Sequence, residues 1–101
     1  MKYKKHVFIC TNTKEGGKKC CGEERGMALV NAFKNEIKAR GLQMEMRAQK
    51  TGCLDACNFG PALVVYPEGT YYGHVQLSDV TEIVEKHLLQ NQPVERLVLP
   101  Y

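Results

Sequence analysis

The sequence predicts a single α/β domain, a four-stranded mixed β-sheet with two main helices packed against it. Three observations lead there. The hydrophobic patterns run strand, helix, strand, then strand, strand, helix. The first three elements can close a right-handed parallel βαβ unit. The last three read as a hairpin backed by a helix. The whole chain of 101 residues, 1–101, is read as one domain, long enough for a modest single core.

His6-Val-Phe-Ile-Cys10 is a β-branched and aromatic run and reads as the first strand, with Cys10 at its C-terminal end. Residues 11–23 are polar and rich in glycine and lysine, so they read as a surface loop of functional length. From about Arg25, Leu29, Phe33 and Ile37 recur every four residues, which predicts an amphipathic helix. Glu23 and Glu24 suit its positive end, and Gly41 is its expected stop. Leu42-Gln-Met-Glu-Met-Arg47 alternates apolar and polar and is read as the second strand. A glycine-flanked cysteine loop follows from Lys50 to Pro61.

Ala62-Leu-Val-Val-Tyr66 is continuously apolar, as expected of a central strand. Pro67-Glu-Gly69 is a turn signal, and Thr70 to Val75 returns antiparallel. Ser78 is the expected cap of the last helix, with Asp79 and Glu82 in its first turn and Val80, Ile83, Val84 and Leu88 inward. The apolar tail from Val94 to Tyr101 is expected to dock on something.

No stretch approaches the roughly 18 apolar residues of a membrane span. The apolar run after the basic N-terminus, Val7 to Cys10, is far too short for a signal-peptide core. Five cysteines without a secretion signal point to a reducing, cytoplasmic setting, where cysteines serve as ligands or catalysts more often than as disulfides. The net charge of +3 rests largely on Lys2, Lys4, Lys5, Lys14, Lys18 and Lys19. No aromatic residues are interleaved with these lysines, and no nucleic-acid-binding motif is present, so nucleic acid is not the expected partner. No general acid–base pair, nucleotide fingerprint or P-loop is present either, so no substrate turnover is expected.

The chemistry lies in the cysteines. Cys10, the doublet Cys20-Cys21, and Cys53 with Cys57 allow three readings. In the first, Cys10, Cys53, Cys57 and one member of the doublet hold a [2Fe–2S] cluster, whose two irons need two terminal ligands each. Glycines 16, 17, 22, 52 and 60 would let backbone N–H groups approach its sulfurs. Four thiolates and an oxidised two-iron core would lower the net charge to about +1. Adjacent residues of an extended segment point to opposite sides, so Cys20 and Cys21 are not both expected to bind. The second reading is structural zinc in a protein-binding module; such sites usually use two C-x₂₋₄-C knuckles, and only Cys53 and Cys57 make one. The third is thiol–disulfide exchange, which usually needs a C-x-x-C absent from this chain. Taken alone, Cys10 would as readily be a small buried hydrophobe. Cys20 reads as a free thiol, His6, His74 and His87 as surface or core residues, and Tyr66, Tyr71 and Tyr72 as hairpin packing.

The spacing Cys10-x₁₀-Cys21-x₃₁-Cys53-x₃-Cys57 resembles that of the thioredoxin-like [2Fe–2S] ferredoxins. Thr51-Gly-Cys-Leu-Asp-Ala-Cys57 with Gly60-Pro61, Val64-Val-Tyr-Pro67 with Tyr72-Gly73, Ile83 to Leu88, and Pro93 to Arg96 are similar to that family's later segments. The resemblance implies a thioredoxin-like fold and a one-electron carrier with one cluster per chain. Its ligands would be Cys10, Cys21, Cys53 and Cys57; the count back from Asn31-Ala-Phe33 selects Cys21 and leaves Cys20 where relatives have a non-ligand. Lysines and glycines fill the loop where relatives often carry prolines. The resemblance further implies a homodimer that serves redox partner proteins. Of the carriers and complex subunits that share this pattern, a free-standing carrier is the expectation.

Overall fold

The computed structural model describes residues 4–11, 23–51 and 61–99. Strand β1 is Lys5–Cys10, helix α1 Glu23–Ala39, strand β2 Met46–Thr51, strand β3 Leu63–Tyr66 and strand β4 Thr70–Tyr72. Helix α2 spans 77–89: a 3-10 turn at Leu77–Asp79, an α turn at Val80–Ile83 and π turns at Val84–Leu89. A short 3-10 turn, Glu95–Leu97, follows. The sheet order is β2-β1-β3-β4. β1 pairs parallel with β2 and antiparallel with β3, and β3 and β4 form the hairpin. This is the mixed four-stranded sheet that the hydrophobic patterns predict.

The two helices share one face of the sheet. Val7 and Ile9 of β1, Leu63 and Val65 of β3 and Ala48 of β2 point to it, and there they meet Leu29, Phe33 and Ile37 of α1 and Ile83, Val84 and Leu88 of α2. Burying each large apolar side chain contributes about 1.5–3 kcal/mol, whereas an exposed ion pair contributes at most about 1 kcal/mol. This face therefore holds the fold together. Gly41 ends α1 at φ 70°, the left-handed conformation expected of a helix stop.

Several boundaries differ from the sequence reading; the return strand β4, for one, ends at Tyr72 instead of Val75. The second strand begins at Met46 instead of Leu42. Leu42 N–H donates to Ile37 O at 3.0 Å, and Glu45 and Met46 N–H both donate to Leu42 O at 2.9 Å. The intervening residues are therefore a turn, and the apolar–polar alternation there does not mark a sheet face: Met44 is 84% exposed. At the start of α2, Ser78 lies inside the 3-10 turn, and the carboxylate of Asp79 does the capping by accepting from Gln76 N–H at 2.8 Å. Asp79 Oδ1 also accepts from Arg96 at 2.7 Å. Burial pushes the Asp79 carboxyl up, but Arg96 and the Gln76 N–H outweigh it and hold it below its ordinary value.

The tail is docked, as its composition predicts. Gly73 N–H donates to Leu97 O at 3.0 Å and Leu99 N–H to Tyr71 O at 2.8 Å. Residues 97–99 thus run along the free edge of β4 and cover backbone groups that would otherwise template another strand.

Candidate metal centre

Residues alternate across a strand, so His6, Phe8 and Cys10 point away from the helices. Cys10 is fully buried (0% exposed) and packs with Ala62, Leu99 and Tyr71 in a small second cluster. Further along the same face His6 stacks on Phe8 with ring centroids 4.2 Å apart, and Phe8 meets Tyr66 edge-on at 5.8 Å.

The backbone around Cys10 is fastened on both sides. Cys10 N–H donates to Ala62 O at 3.1 Å. Thr11 N–H donates to Thr51 O at 3.2 Å, and its hydroxyl reaches the same oxygen at 3.3 Å. Thr51 and Pro61-Ala62 are the two ends of the cysteine loop, so both ends meet at Cys10. The other cysteine-bearing segment is bracketed in the chain by Thr11 and Glu23. Three residues into α1, Gly26 lies against this same point: a Cβ built on it would stand 2.4 Å from Cys10 O and 2.9 Å from Thr11 Cα. All four chain ends that bracket the two cysteine segments therefore converge on the end of β1.

Of the expected ligands, Cys10 is described; Cys21, Cys53 and Cys57, like Cys20, lie outside the described residues. Among the described residues no three potential metal ligands gather. The donor chemistry fits a thiolate-bound centre. Cys10 supplies the one soft donor described there, from an apolar wall, and the remaining four cysteines of the chain all belong to the two segments that start and end beside it.

The histidines do other work. His87, read from the sequence as surface or core, is 1% exposed inside a hydrogen-bonded chain on the helix side. Its Nδ1 lies 2.7 Å from the Tyr72 hydroxyl and its Nε2 meets Glu68. Glu68 in turn takes a 2.6 Å bond from Lys5 Nζ. Burial pushes the Glu68 carboxyl up, and the bonds from Lys5 and His87 more than reverse that, holding it low. Burial pushes the Tyr72 phenol up, and the Glu68 charge adds to the effect although the Val94 N–H opposes it. This chain starts at Lys5, five residues before Cys10, or roughly 16 Å along the strand.

Sequence reasoning credited glycines 16, 17, 22, 52 and 60 with a role at the centre and passed over Gly26. The available signal was a glycine inside a helical pattern, which is unfavourable by about 0.5–1 kcal/mol against alanine and so calls for a reason.

No family model matches the chain. Among curated proteins it is 41% identical to a 2Fe-2S ferredoxin of Clostridium pasteurianum over 96 residues, 93% of this chain and 94% of that protein. It is 43% identical to a 2Fe-2S ferredoxin of Aquifex aeolicus (strain VF5) over 98 residues, 94% of this chain and 88% of that protein. Among solved structures, a thioredoxin-like [2Fe–2S] ferredoxin from Aquifex aeolicus superposes with a TM-score of 0.87 at 42% identity, covering 95% of this chain and 90% of that one. A wild-type structure of the same description, at 1.5 Å resolution, gives a TM-score of 0.88 at 41% identity and covers 98% and 99%.

Proposed function

The chain belongs to the thioredoxin-like [2Fe–2S] ferredoxin family, and on that premise we propose that it carries single electrons on one [2Fe–2S] cluster held by Cys10, Cys21, Cys53 and Cys57. The observation that carries this reading is the convergence at Cys10 of all four ends of the cysteine-bearing segments. The cluster supplies reversible one-electron chemistry, at a potential of the order of a few hundred millivolts negative for an all-thiolate site. The protein's residues hold, shield and present it. Cys10 contributes its sulfur from a fully buried position walled by Ala62, Leu99 and Tyr71. Ala62 O and Thr51 O fix the backbone on either side of that sulfur, so little reorganisation accompanies a change of charge. Turnover of a substrate forms no part of this role. Zinc and thiol-exchange chemistry are not favoured: the relatives are named 2Fe-2S ferredoxins. The site of action is the cytoplasm, whose reducing conditions keep such thiolates available.

Among the described residues no helix is long and apolar enough to cross a membrane. The partners are redox proteins and a second copy of the chain. Supporting the homodimer is the helix-free face of the sheet, which leaves Tyr66 36% exposed.

Anaerobically purified protein should be red-brown, contain two irons and two sulfides per chain, and give an S = 1/2 EPR signal on one-electron reduction. A colourless protein with one zinc and no sulfide, unchanged by reconstitution, would sink the carrier reading. Sedimentation at micromolar concentration should show a dimer; a clean monomer would remove that expectation and leave the cluster untouched.

A further inference from the structure

Gly26 sits in the first turns of a 17-residue helix, where alanine would serve helix formation better. Its φ is not left-handed, so the backbone does not demand glycine. The neighbours do. A Cβ at this position would stand 2.4 Å from the carbonyl oxygen of Cys10, 2.8 Å from Thr11 Cγ2 and 2.9 Å from Thr11 Cα. Two of those three atoms are backbone. Even favourable carbon–oxygen contacts close only to about 3.3 Å, so the helix and the strand end would have to part by most of an ångström.

Neither side can yield freely. The strand end is bonded to Ala62 O and Thr51 O. The helix is keyed into the core by Leu29 and Phe33, 2% and 0% exposed. The missing side chain therefore sets how closely α1 presses on the backbone that carries Cys10. It also sets the spacing between the Cys10 backbone and the first turn of α1.

We propose that Gly26 is a positioning residue for the cluster, fixing the Cys10 backbone relative to the start of α1. This inference rests on the reading of Cys10 as a ligand. It concerns the geometry of the site, and a purely structural role would not reproduce its signature.

The test compares Gly26→Ala with Gly41→Ala in the holoprotein. Gly41 lies at the far end of α1 at φ +70°, with open space around it, so alanine there strains the helix end without approaching Cys10. Gly26→Ala should release iron to a chelator about 10- to 100-fold faster than wild type, the loss typical when the support behind a metal ligand is altered. Its reduction potential and EPR g-values should also move. Gly41→Ala should lower the thermal midpoint and leave release, potential and g-values at wild-type values. The proposal is overturned if Gly26→Ala folds with wild-type release and EPR, or if Gly41→Ala perturbs the cluster as much. Should Gly26→Ala fail to fold by circular dichroism, Thr11→Ser decides. It removes the methyl on the other side of the seam and keeps the hydroxyl bond to Thr51 O. Faster iron release with altered g-values supports the proposal, and wild-type behaviour overturns it. A wild-type protein without iron, or a Cys10→Ala variant that keeps its cluster, would instead defeat the ligand reading itself, whatever Gly26→Ala does.

Discussion

Replacing Cys10 by alanine should strip the protein of its iron. In the packing alone, the change removes one sulfur from a cluster of Ala62, Leu99 and Tyr71, a truncation of about 1 kcal/mol by comparison with a lost methylene. If Cys10 were only a buried hydrophobe, the cost would stop there, and colour and metal content would be those of the wild type. As a ligand, its loss would leave one iron with a single protein thiolate. The expected result is iron and sulfide below about a tenth of the wild-type content, with the charge-transfer bands and the reduced-state EPR signal gone. Far-UV circular dichroism reports separately whether the sheet survives. Cys20→Ser is the companion variant. Cys20 is the doublet member outside the proposed ligand set, so this change should retain both irons and an unaltered spectrum. Bleaching by Cys20→Ser with retention in Cys21→Ser would reverse the choice within the doublet. Full retention of colour in Cys10→Ala would remove the anchor of the site.

Much of this architecture is legible in the sequence because it follows from short-range patterns. The four-residue recurrence of Leu29, Phe33 and Ile37 marks α1, and all three are buried. Gly41 ends that helix as its permissiveness suggests. The continuous run Leu63-Val-Val65 is central and covered on both faces. Boundaries fail where two patterns compete. Leu42, Met44 and Met46 mimic a strand, yet the helix exit folds Leu42 back onto Ile37 O, half-buried against the core, and leaves Met44 exposed between it and the buried Met46. The true strand, Met46–Thr51, carries only Met46 and Ala48 on its inner side, a weaker signal than the turn beside it. Asp79 displaces Ser78 as the cap because its carboxylate can serve Gln76 N–H and Arg96 at once. The cysteines alone leave three chemistries open, and it is the likeness to named 2Fe-2S ferredoxins that favours the cluster. What spacing cannot convey is that α1 touches the Cys10 backbone, since Gly26 and Cys10 meet only through the tertiary packing of a helix on a strand end. The buried chain through His87 is illegible for the same reason: Lys5, Glu68, Tyr72 and His87 come from four separate elements or turns, with no motif among them.

That buried chain carries the second large expectation, the loss of stability in Tyr72→Phe. Val94 N–H donates to the Tyr72 hydroxyl at 3.0 Å. The phenolic oxygen is thereby engaged as an acceptor, and its own proton points to His87 Nδ1 at 2.7 Å. His87 Nε2–H is then the donor to Glu68, which accepts also from Lys5. Among the described residues no buried side-chain nitrogen or oxygen lacks a partner. Phenylalanine fills the same volume, so no cavity opens, but it leaves Val94 N–H and His87 Nδ1 without their partner where Tyr72 and His87 are 0% and 1% exposed. Orphaned buried polar groups cost about 1–3 kcal/mol each; at about 1–2 kcal/mol for each of these two, the combined loss is roughly 2–4 kcal/mol. The pairs of Glu82 with Lys86 and Arg96 lie at the surface, where solvent screens them, so no surface charge substitution should match it. For a domain of this size the thermal midpoint should fall by about 10–20 °C. The visible spectrum below the transition should stay that of the wild type, because Tyr72 faces the helices and Cys10 the opposite side of the sheet. Adding His87→Leu should cost less than the sum of the two single changes, since the nitrogen orphaned by Tyr72→Phe is then removed as well. Strict additivity, or a midpoint within about 2 °C of wild type for Tyr72→Phe alone, would mean that water enters and satisfies these groups; the chain would then be incidental to stability, and the apolar face of α1 and α2 would hold the hairpin unaided.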